Sequence, residues 1–395
     1  MKVTVAASIA DVPAQDWDAC ALDSALRSAG GDADNPFLRH SFLLALESSD
    51  SVRPESGWQP LHVIVRDEDD VIVAVAPCYL KGHSRGEYVF DHAWADAYER
   101  AGGDYYPKLL VAVPFTPVSG PRLLVRDGPF AEKATQALIV GLRQLREATE
   151  ASSIHVNFAL PEESAVLGSA GFLPRIDCQY HWINHDFASF DDFLATLSSR
   201  KRKTIRRERR DAIGSATPGD GITIEQLTGD AITTAHWDAF YAFYQDTASR
   251  KWGRAYLTRE FYDAIDRTMR DRVLLVMARR AGRYIAGAIN FIGSDTLFGR
   301  HWGAIEEHPF LHFEVCYYRA IDFAIARGLK RVEAGAQGEH KLARGYVPTM
   351  TRSAHDIADP DFRRAVAAYL AQERPAVEQE IALLADETPF RHEPD

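Results

Sequence analysis

The chain carries one structural plan twice, and this repetition narrows its fold more than any other feature of the sequence. Residues 61–94, LHVIVRDEDDVIVAVAPCYLKGHSRGEYVFDHAW, set apolar β-rich runs around Asp69-Asp70 and Gly82-His83, which predicts three consecutive strands. Residues 273–303, VLLVMARRAGRYIAGAINFIGSDTLFGRHWG, repeat the pattern with turns at Ala281-Gly282 and Gly293-Ser294-Asp295. Each meander leads to a helix and another strand. In the second copy Val315, Tyr318, Ile321, Ala324 and Ile325 fall on one face of a 3.6-residue period, and Gly328 suits the helix end. In the first copy ATQALIVGLRQLREAT is the helix and SSIHVNFAL the strand. Both copies close through a Gly-aromatic pair, Gly171-Phe172 or Gly345-Tyr346. A chain of 395 residues is long enough for two such α/β domains, placed at 1–185 and 186–395.

Membrane and disulfide-scaffold classes fit poorly. The longest apolar run, VIVAVAPCYL, contains a proline and falls short of the ~20 residues a membrane span needs, so no transmembrane segment is expected. The first residues lack a continuous apolar leader, and the four cysteines (Cys20, Cys78, Cys178, Cys316) are scattered without paired spacing. A cytoplasmic protein with reduced thiols is the expectation.

A formal charge of -11 disfavours indiscriminate binding of polyanions. Against that background LSSRKRKTIRRERRD is anomalous, with eight Lys or Arg between positions 200 and 210. Helical spacing puts Arg200, Lys203, Arg207 and Arg210 on one face and Arg202, Arg206 and Arg209 on a neighbouring stripe, with Lys201 beside them. Only Glu208 and Asp211 offer partners within the segment, so a phosphate-bearing ligand accounts for the run better than a solvated face does.

A meander, a helix, a strand, a short helix and a final strand is similar to the element order of the GNAT acyltransferase fold, here as two tandem domains, each a mostly antiparallel sheet flanked by helices. Several longer stretches resemble bacterial FemAB-like N-acyltransferases, a family labelled as peptidoglycan biosynthesis proteins. They are NPFLRHSFLLALE, GWQPLH, FDHAWADAYERAGGDYYPKLLVAVPFTPVSGPRLL, LSSRKRKTIRRERR, GRHWGAIEEHPFLHFEVCYY and EAGAQGEHKLARGYVPT. The resemblance spans nearly the whole chain. It implies acyl transfer to an amine, with acyl-CoA or aminoacyl-tRNA as co-substrate, no tightly bound cofactor, and a cell-wall precursor as one possible acceptor. Both donors are polyphosphates, which assigns Arg200, Lys201, Arg202, Lys203, Arg206, Arg207, Arg210 and Arg344 to donor phosphates. The segment AIEEHPFLHF, between the third strand and the helix, lacks the Gly-rich turn with which a conventional CoA-dependent GNAT cradles pyrophosphate, and this favours tRNA or an unusual donor.

Acyl transfer needs a base, an oxyanion partner and an acid. The second copy offers His301 and Trp302 at a strand end, Glu306 beyond them, then His312 and Glu314 opening the helix. After the next strand, GAQGEHKLARGY contributes Gln337, Glu339, His340, Lys341, Arg344 and Tyr346. Glu339 or His340 is the expected proton acceptor and Lys341 or Arg344 the anion partner, with His301 and Tyr346 as further catalytic candidates. Trp302, Glu306, His312, Glu314 and Gln337 are expected at the substrate. His308, His312 and Glu314 lack a spacing that supports a metal site, and Cys316 reads as a buried helix thiol. In the first copy Asp91, His92, Asp96 and Tyr105 form an acidic, aromatic stretch suited to an acceptor groove. The other reading of the same residues is a non-catalytic RNA- or nucleotide-binding protein on the same scaffold.

Overall fold

The computed structural model describes residues 1–22, 31–214, 221–253, 255–335 and 338–391. They form two compact units that are discontinuous in sequence. The first comprises Met1–Cys178 and Met350–Glu380, the second Gln179–Thr349 and Ile381–Asp395.

In the first unit the strands are β1 (Lys2–Ala6), β2 (Trp58–Pro60), β3 (His62–Arg66), β4 (Ile72–Ala76), β5 (Cys78–Lys81), β6 (Lys108–Val111), β7 (Leu124–Val125), β8 (Ser153–Asn157) and the start of β9 (Leu173–Ile183). A four-stranded antiparallel sheet runs β1-β3-β4-β7. A second ladder runs β2-β5-β6-β8, antiparallel except for the parallel pair β6–β8. The helix Ala131–Ala148 presents Ala134, Leu138, Leu142 and Leu145 to β3 and β4, whose apolar residues are buried. That i, i+4 spacing is what makes a one-sided helix cover a sheet. The third strand expected beyond Gly82-His83 does not form, since residues 82–91 are turn and bend, and the expected second strand is instead divided at Pro77 into β4 and β5.

The second unit holds β10 (Ile222–Thr228), β11 (Val273–Arg280), β12 (Arg283–Ile292), β13 (Thr296–Ala304), β14 (Arg331–Glu333) and the start of β15 (Val347–Ile357). Its ladder runs β10-β11-β12-β13 antiparallel, then β14 parallel to β13. Residues 181–183 of β9 pair antiparallel with β14, and residues 353–357 of β15 pair with β8 of the first unit. Each unit therefore receives its closing strand from a segment that begins in the other. The helix Thr234–Trp252 lies on β12 and β13, so close that a Cβ on Gly303 would come within 2.2 Å of the Phe243 carbonyl oxygen. Leu311–Ala326 is helical throughout, with a π turn at Glu314–Tyr318.

The basic segment is one helix, Ser199–Ile213, separated from Phe190–Thr196 by an extended Leu197 (φ -84, ψ 160). The break has a local cause: the fully buried Leu197 is held in the core, and its carbonyl accepts from Arg202 Nη1 at 2.8 Å. Among the described residues, no helix is long and apolar enough to cross a membrane.

Candidate functional site

β13 and β14 are paired only from Thr296 to Phe298 against Arg331 to Glu333. β14 stops there while β13 runs on to Ala304, so the strands part. In the same place β13 bulges: Ile289 faces His301, Asn290 faces Gly299, and Arg300 is the extra residue. A pocket of about 80 Å³ occupies the gap. Ala288 to Asn290, Gly299 to Trp302 and Ala334 form its strand walls, and His312, Cys316 and Tyr317 close it from the helix. The π turn is what brings Cys316 and Tyr317 to this wall, because one residue per turn is added there and the helix face rotates.

Burial favours the neutral forms of His301, Tyr317 and the nearby Lys341. His301 packs on Tyr244 at 4.8 Å, and burial, helped by Arg300, pushes it down to about 3, so it is neutral at pH 7. Tyr317 is 5% exposed and burial raises its phenol. Its hydroxyl lies 2.9 Å from Nε2 of His340, whose ring is exposed. The pocket thus has a hydroxyl hydrogen-bonded to a titratable group at the surface. His312 sits 5.2 Å from Trp302 and 5.3 Å from Tyr317, ring to ring. Lys341, 2% exposed, donates to the Gly335 carbonyl at 3.0 Å. Burial lowers it to about 7, with Cys316 opposing and Arg300 adding to the shift.

Of the residues expected from the sequence, His301, Trp302 and His312 line the pocket, His340 reaches it through Tyr317, and Lys341 lies behind the wall. Others are engaged elsewhere. Glu306 pairs with Arg280, Arg283 and His308, which keep its carboxyl low, near 2. Glu314 is buried between Arg209 and Arg319. Arg344 forms a buried two-oxygen ion pair with Glu208 at 3.0 Å and stacks 3.3 Å over the Phe313 ring. Tyr346 is fully buried, its hydroxyl without a hydrogen-bond partner among the described residues. Gln337 and the side chain of Glu339 lie outside the described residues. His308, His312 and Glu314 do not converge, and among the described residues no group of three or more His, Cys, Asp or Glu is arranged for a metal ion.

The basic helix divides by face. Ile205, Glu208 and Ala212 are buried, and Arg209 turns inward to Glu314 and Asp322 and lies 4.3 Å over Phe190. Arg202 caps Leu197, Arg206 meets Asp191, and Arg210 meets Asp211. Arg200, Lys203 and Arg207 are exposed and have no ion-pair partner among the described residues, while Lys201 is half-buried beside them. The three span one straight stripe of solvent-facing charge.

In the first unit, Asp91 and Tyr105 belong to an interior network. Tyr105 donates to Asp91 at 2.7 Å, and Lys108 bonds both Asp91 and Glu87. Burial would raise Asp91, yet the Lys108 ammonium holds it below the ordinary carboxylate range. His92 and Asp96 stand exposed on the helix His92–Arg100.

Asn290, Arg300, Cys316 and Tyr317 are pocket residues that sequence periodicity does not reveal. The 3.6-residue face runs through Val315 and Tyr318 and passes over Tyr317, Cys316 reads as a buried thiol, and a bulge leaves no mark on a strand pattern.

A family model described as FemAB-like, peptidoglycan biosynthesis/recognition, matches residues 8–392. No curated protein matches. Among solved structures, FemX is similar over 93% of this chain and 100% of its own, at 12% identity and TM-score 0.54. A conserved protein of unknown function from Bacteroides thetaiotaomicron aligns over 91% and 100%, at 12% identity and TM-score 0.52. A tandem GNAT protein from the clavulanic acid biosynthesis pathway aligns over 91% and 99%, at 12% identity and TM-score 0.48. The fold is the expected mixed α/β one in two units, and it is shared with FemX.

Proposed function

We propose that this chain, which belongs to the FemAB-like family, is an N-acyltransferase whose acyl group enters the pocket between β13 and β14 of the second unit. The observation that carries the reading is the parting of these strands at a bulge, with Arg300 and the Tyr317–His340 pair at one small pocket. An acyl carbonyl placed there meets a guanidinium suited to the developing oxyanion. The acceptor amine attacks the carbonyl carbon, the C–N bond forms, and the bond to the donor's sulfur or oxygen breaks. Tyr317 gives its proton to the departing atom, the acceptor nitrogen sheds one as the amide forms, and His340 takes that proton up and returns one to the phenol. His301, neutral at pH 7, packs the wall without adding charge.

The donor is a polyphosphate ester or thioester, aminoacyl-tRNA or acyl-CoA, held by Arg200, Lys203 and Arg207. Acceptor recognition in the first unit falls to the exposed His92 and Asp96, because Asp91 and Tyr105 are engaged inside. A cell-wall precursor amine is the acceptor class that the family description suggests.

The test supplies acyl-CoA and charged tRNA with a panel of amines and detects the amide by mass spectrometry. Tyr317→Phe should lower turnover by roughly tenfold or more while donor affinity is kept. A purified protein that forms no amide from either donor, or a Tyr317→Phe variant with full turnover, rejects the assignment.

A further inference from the structure

Three guanidinium groups of the first unit converge on one carboxylate. Asp356 is buried near the end of β15, and its Oδ2 accepts from Arg143 Nε at 2.9 Å and from Arg146 Nη1 at 3.2 Å. Arg363 Nη1 approaches the other oxygen, Oδ1, at 3.4 Å. Arg143 and Arg146 end the helix Ala131–Ala148 and Arg363 opens Pro360–Asp386; all three are half-buried. Backbone holds two of them in place. Arg143 Nη2 donates to the Ala170 carbonyl at 2.6 Å, with its guanidinium 5.4 Å over the Phe172 ring, and Arg363 Nη2 donates to the Gly171 carbonyl. Gly171 adopts φ 91, and a Cβ built there meets, among the described residues, only the Arg143 guanidinium at 3.9 Å.

One guanidinium fork is enough to pair a carboxylate, so three leave two positive charges in excess. The other acidic groups on these elements do not remove them. Glu147 reaches Arg146 at 3.7 Å, but its side chain is exposed, where water and salt weaken the pair. Asp359 accepts from the Phe362 N–H at 2.7 Å, and Asp361 pairs with the exposed Arg364. Gathering three cations on one carboxylate costs self-repulsion that a simple tie between helix and strand does not require. A phosphate monoester carries about two negative charges at pH 7 and three acceptor oxygens, which matches both the excess charge and the donors.

We propose that Arg143, Arg146 and Arg363 form a binding site for a phosphate monoester dianion, with Asp356 as the internal counter-charge that orients the three guanidinium groups. The site lies wholly in the first unit and is independent of the acyl pocket. Sugar phosphates and nucleoside monophosphates share this group, and both serve as probes.

The test uses the full chain with Arg200, Lys203 and Arg207 replaced by Gln, which removes the exposed stripe as a competing phosphate site. Phosphorus NMR titration at pH 7.5 and constant ionic strength compares methyl phosphate, a dianion, with dimethyl phosphate, a monoanion. Methyl phosphate should bind with a dissociation constant on the order of 1 mM, at least tenfold more tightly than the diester. Arg146→Gln and Arg363→Gln should each weaken it by roughly tenfold. Asp356→Asn should strengthen it by about threefold or more, because three cations then face the ligand with no internal carboxylate. A purely structural cluster predicts the opposite for that variant, lower stability with no gain in binding. If one arginine variant fails to fold, the other carries the test. No saturation by about 20 mM overturns the proposal, as do equal binding of the two esters, unchanged binding in a folded arginine variant, or no gain in Asp356→Asn. Glucose 1-phosphate and adenosine 5′-monophosphate then separate the two sources. The tighter of them names the ligand class, and equal binding of both with methyl phosphate shows a site that reads the phosphate alone.

Discussion

Lowering the pH from 7.5 to 5.0 should destabilise this protein by an amount its buried histidines set. His155, His181 and His355 are 1%, 5% and 0% exposed. Burial pushes His155 and His181 to about 3 and His355 well below its ordinary value, with neighbouring cations adding to each shift and Asp91 opposing it at His155 and His355. The imidazoles of His155 and His355 meet through their Nδ1 atoms at 2.7 Å across β8 and β15, a contact that requires one ring to donate and the other to accept. A folded pKa below the unfolded 6.5 means that the unfolded chain binds the proton first. The stabilising effect is then complete above pH 6.5 and lost as pH falls toward 3. Each group forfeits ~1.4 kcal/mol per pH unit below 6.5, or about 2 kcal/mol by pH 5.0. The three together lose about 6 kcal/mol. Glu87 works in the opposite direction. Burial lifts it to about 7 despite Lys108, so the folded state binds its proton first and recovers about 2 kcal/mol over this range. The net loss from these four groups is about 4 kcal/mol, a large share of a typical folding free energy, and His301, lowered as far, adds to it in the same direction. Lys81 and Lys341, both lowered to about 7 by burial, push weakly the same way as the histidines. Urea unfolding followed by tryptophan fluorescence at the two pH values measures the sum. The double variant His155→Gln/His355→Gln should be less stable at pH 7.5 and lose most of the pH dependence. A wild-type midpoint that stays level or rises on acidification would refute the claim that these rings are locked neutral.

Two variants separate structural from functional charge, and a third tests the packing of a helix on β13. Glu208→Gln leaves the Arg344 guanidinium buried without its carboxylate and should cost about 3–5 kcal/mol in a urea titration. Replacing Arg200, Lys203 and Arg207 together by Gln should move stability by no more than ~0.5 kcal/mol per site. The same triple variant should flatten the log–log salt dependence of donor binding by about 2, at ~0.7 per contact with a single strand. Gly303→Ala forces a Cβ against the Phe243 carbonyl, 2.2 Å away, and should cost about 1–3 kcal/mol or abolish soluble expression, read by thermal melting.

The second meander was legible because strand alternation and turn chemistry are local, while the first lacks the strand expected beyond Gly82-His83. Residues 273–303 fold into β11, β12 and β13 with turns at the expected glycines, of which Gly282 adopts φ 79. The exchange of closing strands was not legible. Residues 173–183 and 347–357 read as strands in either arrangement, and the sequence carries no local signal of which β-edge each will meet. Pairing is a non-local choice, and the burial of Trp182 beside β14 or of His355 beside β8 is visible only after it is made.

The basic run shows the same division at the level of single side chains. Its helical faces follow from spacing alone, and the solvent stripe of Arg200, Lys203 and Arg207 stands where spacing puts it. What spacing omits is the partner from a distant element. Arg209 looked like one more free cation, yet Glu314 and Asp322 claim it from residues more than a hundred positions away. Arg344 looked like a phosphate ligand, yet Glu208, which itself accepts from the Tyr318 hydroxyl, holds it at the end of the short helix that carries His340 and Lys341. The Arg344 Nη1 also donates to the His340 carbonyl at 2.7 Å. The helix that presents charge to solvent is therefore tied by one buried ion pair to the loop that completes the pocket. Losing Glu208 should displace His340 as well as lower stability. A Glu208→Gln protein that still folds should then bind donor with near-normal affinity, through the intact outer stripe, and transfer slowly. Normal turnover in that variant would show that the ion pair supports the fold and does not position the site.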